Sequence, residues 1–317
     1  MQSQCIFSVE TPVGPPIEIF RHTFSSQSSK PAKRVSLVAG LHGDELEGLY
    51  ICHRLLDTLK KLEELNEFKG EVHVYPAVNP QALEAGTRLW PFFSVDINRT
   101  FGEKNTSSLP TETSRILLED LKICSDLVVD FHSSNLHLME LPQIRIIKNF
   151  EKKLMPLAKL CNVDLIWVHP HAGIFESTLG YNLNKAKVPT LVIETGICLR
   201  INKGQCDQIV QGILNLLKQI GVFDTGGPPV KVVPPRIIQP DGVVMIQAND
   251  AGLFIKQVEA GKILKQGEKI GDLIDPVNGN VLEKILSPCS GLLFTIREHP
   301  LTGKGAPLAR IAIERPR

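Results

Sequence analysis

Short apolar runs alternate with amphipathic stretches up to about residue 200, and no other feature of the chain constrains its fold as tightly. The runs are 34–40 (RVSLVAG), 71–78 (EVHVYPAV), 126–131 (DLVVDF) and 189–193 (PTLVI). Each is rich in Val, Ile or Leu and bounded by turn formers or charge, the pattern of strands covered on both faces. Pro76 falls inside the second run, which shortens that strand or places it at an edge. Between the runs, 45–65 spaces Leu46, Leu49, Tyr50, Leu55, Leu56, Leu59 and Leu62 at helical intervals. The stretch 111–124 does the same, with Thr111 as its N-cap after Pro110, and 152–160 and 206–220 are further helices. Strands alternating with helices predict an α/β domain with a mostly parallel sheet flanked by helices.

The pattern changes near residue 225, where Asp224 is followed by TGGPP. Beyond it no helical stripe stands out. A weak internal repeat takes its place: Gly252-Leu-Phe leads to a glycine turn and 266–274, and Gly291-Leu-Leu-Phe leads to 304–311. Two such halves of short strands and turns predict a small all-β barrel or sandwich. At roughly 150 residues per domain, 317 residues make about two domains. The expected division is a catalytic domain over 1–225 and a small β domain over 226–317.

Composition narrows the class. Lys plus Arg number 35 against 34 for Asp plus Glu, a balance that argues against phosphate-driven nucleic-acid binding. No apolar run approaches the ~20 residues needed to cross a bilayer, so no membrane role is expected. The N-terminal stretch lacks a basic region followed by an apolar core, so no signal peptide is expected. The 7 Cys are scattered with no C-x-x-C pair, which reads as reduced thiols in a cytoplasmic protein. A homo-oligomer is compatible with all of this.

The chemistry stands where the strands end. Leu41-His42-Gly43-Asp44-Glu45 follows the first run, His132-Ser133-Ser134 the third and Glu194-Thr195-Gly196 the fourth. Ligands of open α/β sheets bind outside the carboxyl ends of strands. Two His and one Glu make an accepted three-ligand zinc set, here His42, Glu45 and His132. Gly43 allows the sharp exit from the strand. Glu194 is then a carboxylate free to take a proton from the water that zinc activates. Asp130, two residues before His132, is placed to hold a ligand imidazole. Each residue also has a plainer reading: a half-buried, hydrogen-bonded His, a capping or ion-paired Glu, a satisfied buried Asp. The coincidence of three strand ends favours the metal. In the loop-rich stretch between the second and third runs, Arg88, Asn98 and Arg99 suit an anionic substrate, the alternative being surface ion pairs. Trp90, Phe92 and Phe93 read as core of that loop.

His42-Gly-Asp-Glu45, Asp96-x-Asn98-Arg99, Asp130-Phe-His132 and Glu194-Thr-Gly, in that order, resemble the succinylglutamate desuccinylase/aspartoacylase family of zinc-carboxypeptidase-like hydrolases. The resemblance implies a carboxypeptidase-like fold with one Zn2+ per chain held by His42, Glu45 and His132. It implies Glu194 as general base, Arg88 polarising the scissile carbonyl, and Asn98 with Arg99 clamping a substrate carboxylate. Residues 169–181 would shape the acyl pocket, with Arg145 and Tyr181 as contributors, while His169 and His171 read as surface or packing residues. The C-terminal part resembles the small β domain of this family, with a lipoyl-like cadence but no well-placed Lys to modify, and would act as a lid. The expected activity is hydrolysis of the amide of a small, anionic N-acyl amino acid. A metallocarboxypeptidase and a non-catalytic metal or metabolite binder are the alternatives.

Overall fold

The structure, a computed structural model, describes residues 1–25, 33–103, 107–224 and 232–314. The sequence boundary at 225–226 lies outside the described residues. The chain opens with an antiparallel hairpin of β1 (Gln2–Val9) and β2 (Ile17–Ser25), then alternates strand and helix. In order come β3 (Arg34–Val38), α1 (Leu46–Glu64), β4 (Glu71–Tyr75), α2 (Pro80–Ala85), α3 (Leu109–Cys124) and β5 (Leu127–Ser133). They are followed by β6 (Leu138–Ile147), α4 (Glu151–Ala158), β7 (Leu165–His169), α5 (Leu179–Lys185), β8 (Thr190–Gly196) and α6 (Lys203–Gln219).

All four apolar runs form strands. β4 stops at Tyr75, just before Pro76, and lies between β2 and β3 rather than at an edge. The stretch 111–124 is helical, but its cap is Ser108, not Thr111. Thr111 instead completes a capping box, its hydroxyl accepting from the Ser108 backbone N–H.

The sheet is mixed rather than mostly parallel. β4, β3, β5 and β8 are parallel neighbours, but β1–β2, β2–β4 and β6–β8 are antiparallel. The reason lies in the connections. The link 134–137 between β5 and β6 is too short to hold a crossover helix, so β6 returns in the opposite direction. Apolar side chains pack on both faces. Ile51, Leu55 and Leu59 of α1 join Ile209, Ile213 and Leu216 of α6 on one side. Leu117 and Leu121 of α3 join Leu179 and Leu183 of α5 on the other.

After residue 231 the described chain is β apart from one short turn. It forms β9 (Arg236–Ile238), β10 (Val243–Gln247), β11 (Gly252–Lys256), β12 (Ile263–Leu264), β13 (Lys269–Ile274) and β14 (Val281–Leu286). β15 (Gly291–Arg297), β16 (Leu301–Thr302) and β17 (Pro307–Ile313) complete it. The repeat is real but splits between sheets. β11 and β13 pair in a separate four-stranded antiparallel sheet, β14-β13-β11-β16. β15 and β17 pair antiparallel as an extension of the large sheet, because Thr295, Ile296 and Arg297 bond to Glu140, Met139 and Leu138 of β6. Through that seam the C-terminal strands reach the end of the sheet where the polar residues gather.

Candidate metal and catalytic site

The polar residues of the strand ends converge as their order along the sheet requires. His132 and Glu194 are register partners on β5 and β8. The turn after β3 brings in His42 and Glu45. Gly43 is needed there for room: a Cβ would lie 1.8 Å from the Ala82 carbonyl oxygen, a contact no side chain survives. The imidazole Nδ1 of His42 lies 2.7 Å from Glu45 Oε1, and that of His132 lies 2.9 Å from Glu45 Oε2. All three side chains are buried, and their ligand atoms fall within 4.8 Å of one another.

Each imidazole has a carboxylate on its far nitrogen. Asp130 Oδ2 lies 3.0 Å from His132 Nε2, and Asp96 Oδ1 lies 3.0 Å from His42 Nε2. Carboxylates there fix ring orientation and leave both Nδ1 atoms facing the shared point. Asp96 comes from the same loop as Asn98 and also accepts from the Asn98 backbone N–H, a local turn that holds it in place. Burial opposes ionisation of Glu45, yet the two imidazoles outweigh it and hold its carboxyl well below the usual range. Burial alone would lower His132; Asp130 and Glu45 more than offset it, so this imidazole is raised well above its ordinary value.

A donor set of two imidazole nitrogens and one carboxylate, oriented by outer carboxylates, fits a tetrahedral divalent ion such as zinc with a position to spare. Asp44, Glu45 and Cys198 form a second buried group within the same distance. There burial raises both the Asp44 carboxyl and the Cys198 thiol.

His42, Glu45, Asp130 and His132 line one cavity of about 350 Å³. Its floor is the sheet face itself: His132 on β5, Glu194 and Val192 on β8, Arg145 and Ile147 on β6, His169 on β7. Glu194 makes no bond to the His42–Glu45–His132 group but pairs with Arg145 Nη1 at 3.1 Å. Burial raises the Glu194 carboxyl, and Arg145 only partly offsets it. Arg145 Nη2 in turn donates to Glu140 at 2.7 Å, and Glu140, wholly buried, also accepts from Gln143 Nε2 at 2.6 Å and from Arg310 Nη1. The Trp167 ring lies about 6 Å from both guanidinium carbons, at 6.0 Å from Arg145 and 5.8 Å from Arg310.

Arg88, Asn98 and Arg99 all line the cavity. Arg88 reaches Glu45 at 3.1 Å and Asp96 at 3.2 Å. Asn98 is buried, and its Oδ1 accepts from the Leu179 backbone N–H at 2.9 Å, tying it to the start of α5. Arg99 is exposed at the mouth, with Nη1 donating to the Asn98 carbonyl. His169 packs on Trp167 with ring centroids 4.0 Å apart and faces the cavity, whereas His171 pairs with Glu176 at 3.3 Å. Trp90 is buried core as read from the sequence, but Phe92 is exposed at 95% and Phe93 at 41%. Sequence reasoning placed Asp96 in a motif without giving it a role, and did not single out Glu140 or Arg310. Asp96 carried a signal, standing two residues before Asn98; the other two sit inside strands with no motif around them.

Residues 31–220 match the model of the succinylglutamate desuccinylase/aspartoacylase catalytic domain. The chain belongs to this family. It is 31% identical over 97 residues to the N-alpha-acetyl-L-2,4-diaminobutyric acid deacetylase of Halomonas elongata and 33% identical over 89 residues to the aspartoacylase of Danio rerio. The matched part spans about a quarter of each relative's length, 27% and 26%, and 31% and 26% of this chain. The crystal structure of a succinylglutamate desuccinylase/aspartoacylase from Rhodobacter sphaeroides superposes with a TM-score of 0.78 at 22% identity. That alignment covers 95% of this chain and 90% of the other, so the fold is shared across both the helical and the all-β parts.

Proposed function

We propose that this chain is a zinc-dependent hydrolase that cleaves the amide bond of a small N-acyl amino acid. One observation carries the reading: two carboxylate-braced imidazoles and Glu45 meet at one point, with a further acid, Glu194, beside them but outside the set. The names of the relatives, a deacetylase and an aspartoacylase, support it. His42, Glu45 and His132 would hold the ion. When bound, zinc supplies a Lewis acid and lowers the pKa of water from 15.7 towards ~7.

The chain's own residues do the rest. Glu194 takes the proton of the attacking water and passes it to the leaving nitrogen, as a base poised by burial can. Arg145 holds that carboxylate in line. Arg88 offers guanidinium N–H groups to the carbonyl oxygen as it gains charge; one such donor is typically worth ~3–4 kcal/mol. Asn98 and Arg99 grip the substrate carboxylate and so fix the scissile bond. The region after residue 225 acts as the second, smaller unit, narrowing the cavity that Arg310 lines.

The test is amine release from N-acetyl, N-succinyl and N-formyl amino acids and from dipeptides by the zinc-loaded chain. Hydrolysis of N-acyl amino acids in preference to dipeptides is expected. Preference for dipeptides would make the chain a carboxypeptidase, and zinc binding without any hydrolysis would make it a binding protein.

A further inference from the structure

The cavity's charges are almost all spoken for. Four arginines and four carboxylates line it. Arg88 is paired with Glu45 and Asp96, Arg145 with Glu140 and Glu194, and Arg310 with Glu140. Among the described residues, Arg99 alone of the four has no carboxylate within ion-pair distance. On the acidic side, Glu140 is saturated by Arg145, Arg310, Gln143 and Thr295. Glu45 and Asp130 are occupied by the imidazoles. His169, pushed down to about 3 by burial and by Arg145 and Arg310, adds no charge at neutral pH.

Away from this network the lining is uncharged, apolar side chains standing with Thr178, Asn184 and Thr190. Val192 and Ile147 continue the sheet floor beyond Glu194 and Arg145, and Phe150, Leu154, Phe175 and Tyr181 stand around them. Gly180 closes the roof so tightly that a Cβ would come within 2.7 Å of Val192. Phe150 and Tyr181 meet edge to face at 5.8 Å.

We infer that the substrate carries a single carboxylate, held at Asn98 and Arg99, and that its side chain and acyl group are uncharged and largely apolar. This rests on the deacylase reading above and deepens it. A second carboxylate, as in an N-acyl aspartate or an N-succinyl compound, meets inside only Arg145 and Arg310, whose charges Glu140 and Glu194 already balance although each Nε is unpartnered. An ammonium side chain meets no uncommitted carboxylate. Either would be desolvated without a free counter-charge, and buried sites reject unpaired charge strongly.

The experiment is steady-state turnover by the zinc-loaded full-length chain, with each ligand also tested as a competitive inhibitor, so that binding is read with the Glu194–Arg145 pair intact. The ligands are N-acetyl-L-leucine, N-acetyl-L-phenylalanine, N-acetyl-L-aspartate, N-succinyl-L-leucine and N-acetyl-L-2,4-diaminobutyrate. The leucine and phenylalanine compounds should bind at least about tenfold more tightly than the other three, the scale on which pockets discriminate side chains. Phe150→Arg, or Tyr181→Arg should the first not fold, supplies a free cation and should shift the preference towards N-acetyl-L-aspartate. Equal or tighter binding of a doubly charged or cationic ligand overturns the inference while leaving the deacylase reading intact. If none of the five binds and none is hydrolysed, both fall together.

Discussion

At one end of the cavity His42, Glu45 and His132 stand where strands finish, each within a short run of polar residues. At the other end Arg145, Glu140 and Arg310 sit inside strands β6 and β17, 170 positions separating Glu140 from Arg310. Both groups bury charge against charge. The first converges on a point suited to a cation; the second closes on itself, with Glu194 facing the first. One cluster is arranged to receive something and the other to hold something still. The seam between β6 and β15 makes the second possible, because it brings the C-terminal strands alongside the catalytic sheet.

If the second cluster is structural support, breaking it should cost stability first. Glu140→Gln leaves two guanidinium groups sharing no buried anion, and losing one partner of a buried pair costs about 3–5 kcal/mol. Urea unfolding of the two chains, compared at equal zinc content, reads this directly. A loss below about 1 kcal/mol would mean the network is solvated and dispensable.

The metal-facing cluster should respond differently. Asp130→Asn and Asp96→Asn remove the carboxylates behind His132 and His42. Each should weaken zinc binding by about 10–100-fold, read against the stability of the same variant without metal. Competition with a chromophoric chelator measures it. Unchanged affinity in both variants would show that the imidazoles are held by other means.

The smallest effect joins the two clusters. As the proposed base, Glu194 must be ionised, and burial raises its carboxyl. The acid limb of kcat/KM should therefore lie above ~4.3, the usual value for Glu. Activity is present above that limb and falls as pH drops through it. Arg145 counters the burial, so Arg145→Gln should move the limb further up. Zinc content checked at each pH separates this from proton competition at His42 and His132. A limb that does not move would place the base elsewhere.

The difference between the clusters also explains what was legible in the sequence. Strand ends are marked locally: an apolar run stops and a His or Glu follows, so His42, Glu45, His132, Glu194 and Asp130 could be named from composition and order. The helices α1, α3 and α6 were equally plain from spacing. Glu140 and Arg310 were not, since Glu140 shares β6 with Gln143 and Arg145, Arg310 is the one charge in β17, and the partner of each is fixed by β-pairing that sequence spacing does not encode. The hairpin of β1 and β2 escaped notice because most of its residues are exposed or half-buried and lack an apolar stripe. The sheet was read as mostly parallel because the turn formers after β5, Ser134 and Asn135, serve equally well in a loop that leads to a helix.

The central claim is that three side chains hold an ion while a fourth, the carboxyl of Glu194, moves protons. Turnover of an N-acyl amino acid by Glu194→Gln, measured beside the unaltered chain with zinc content determined in both, tests it. The account predicts equal zinc and almost no turnover in the variant. Turnover near that of the unaltered chain, or loss of zinc along with activity, would contradict it.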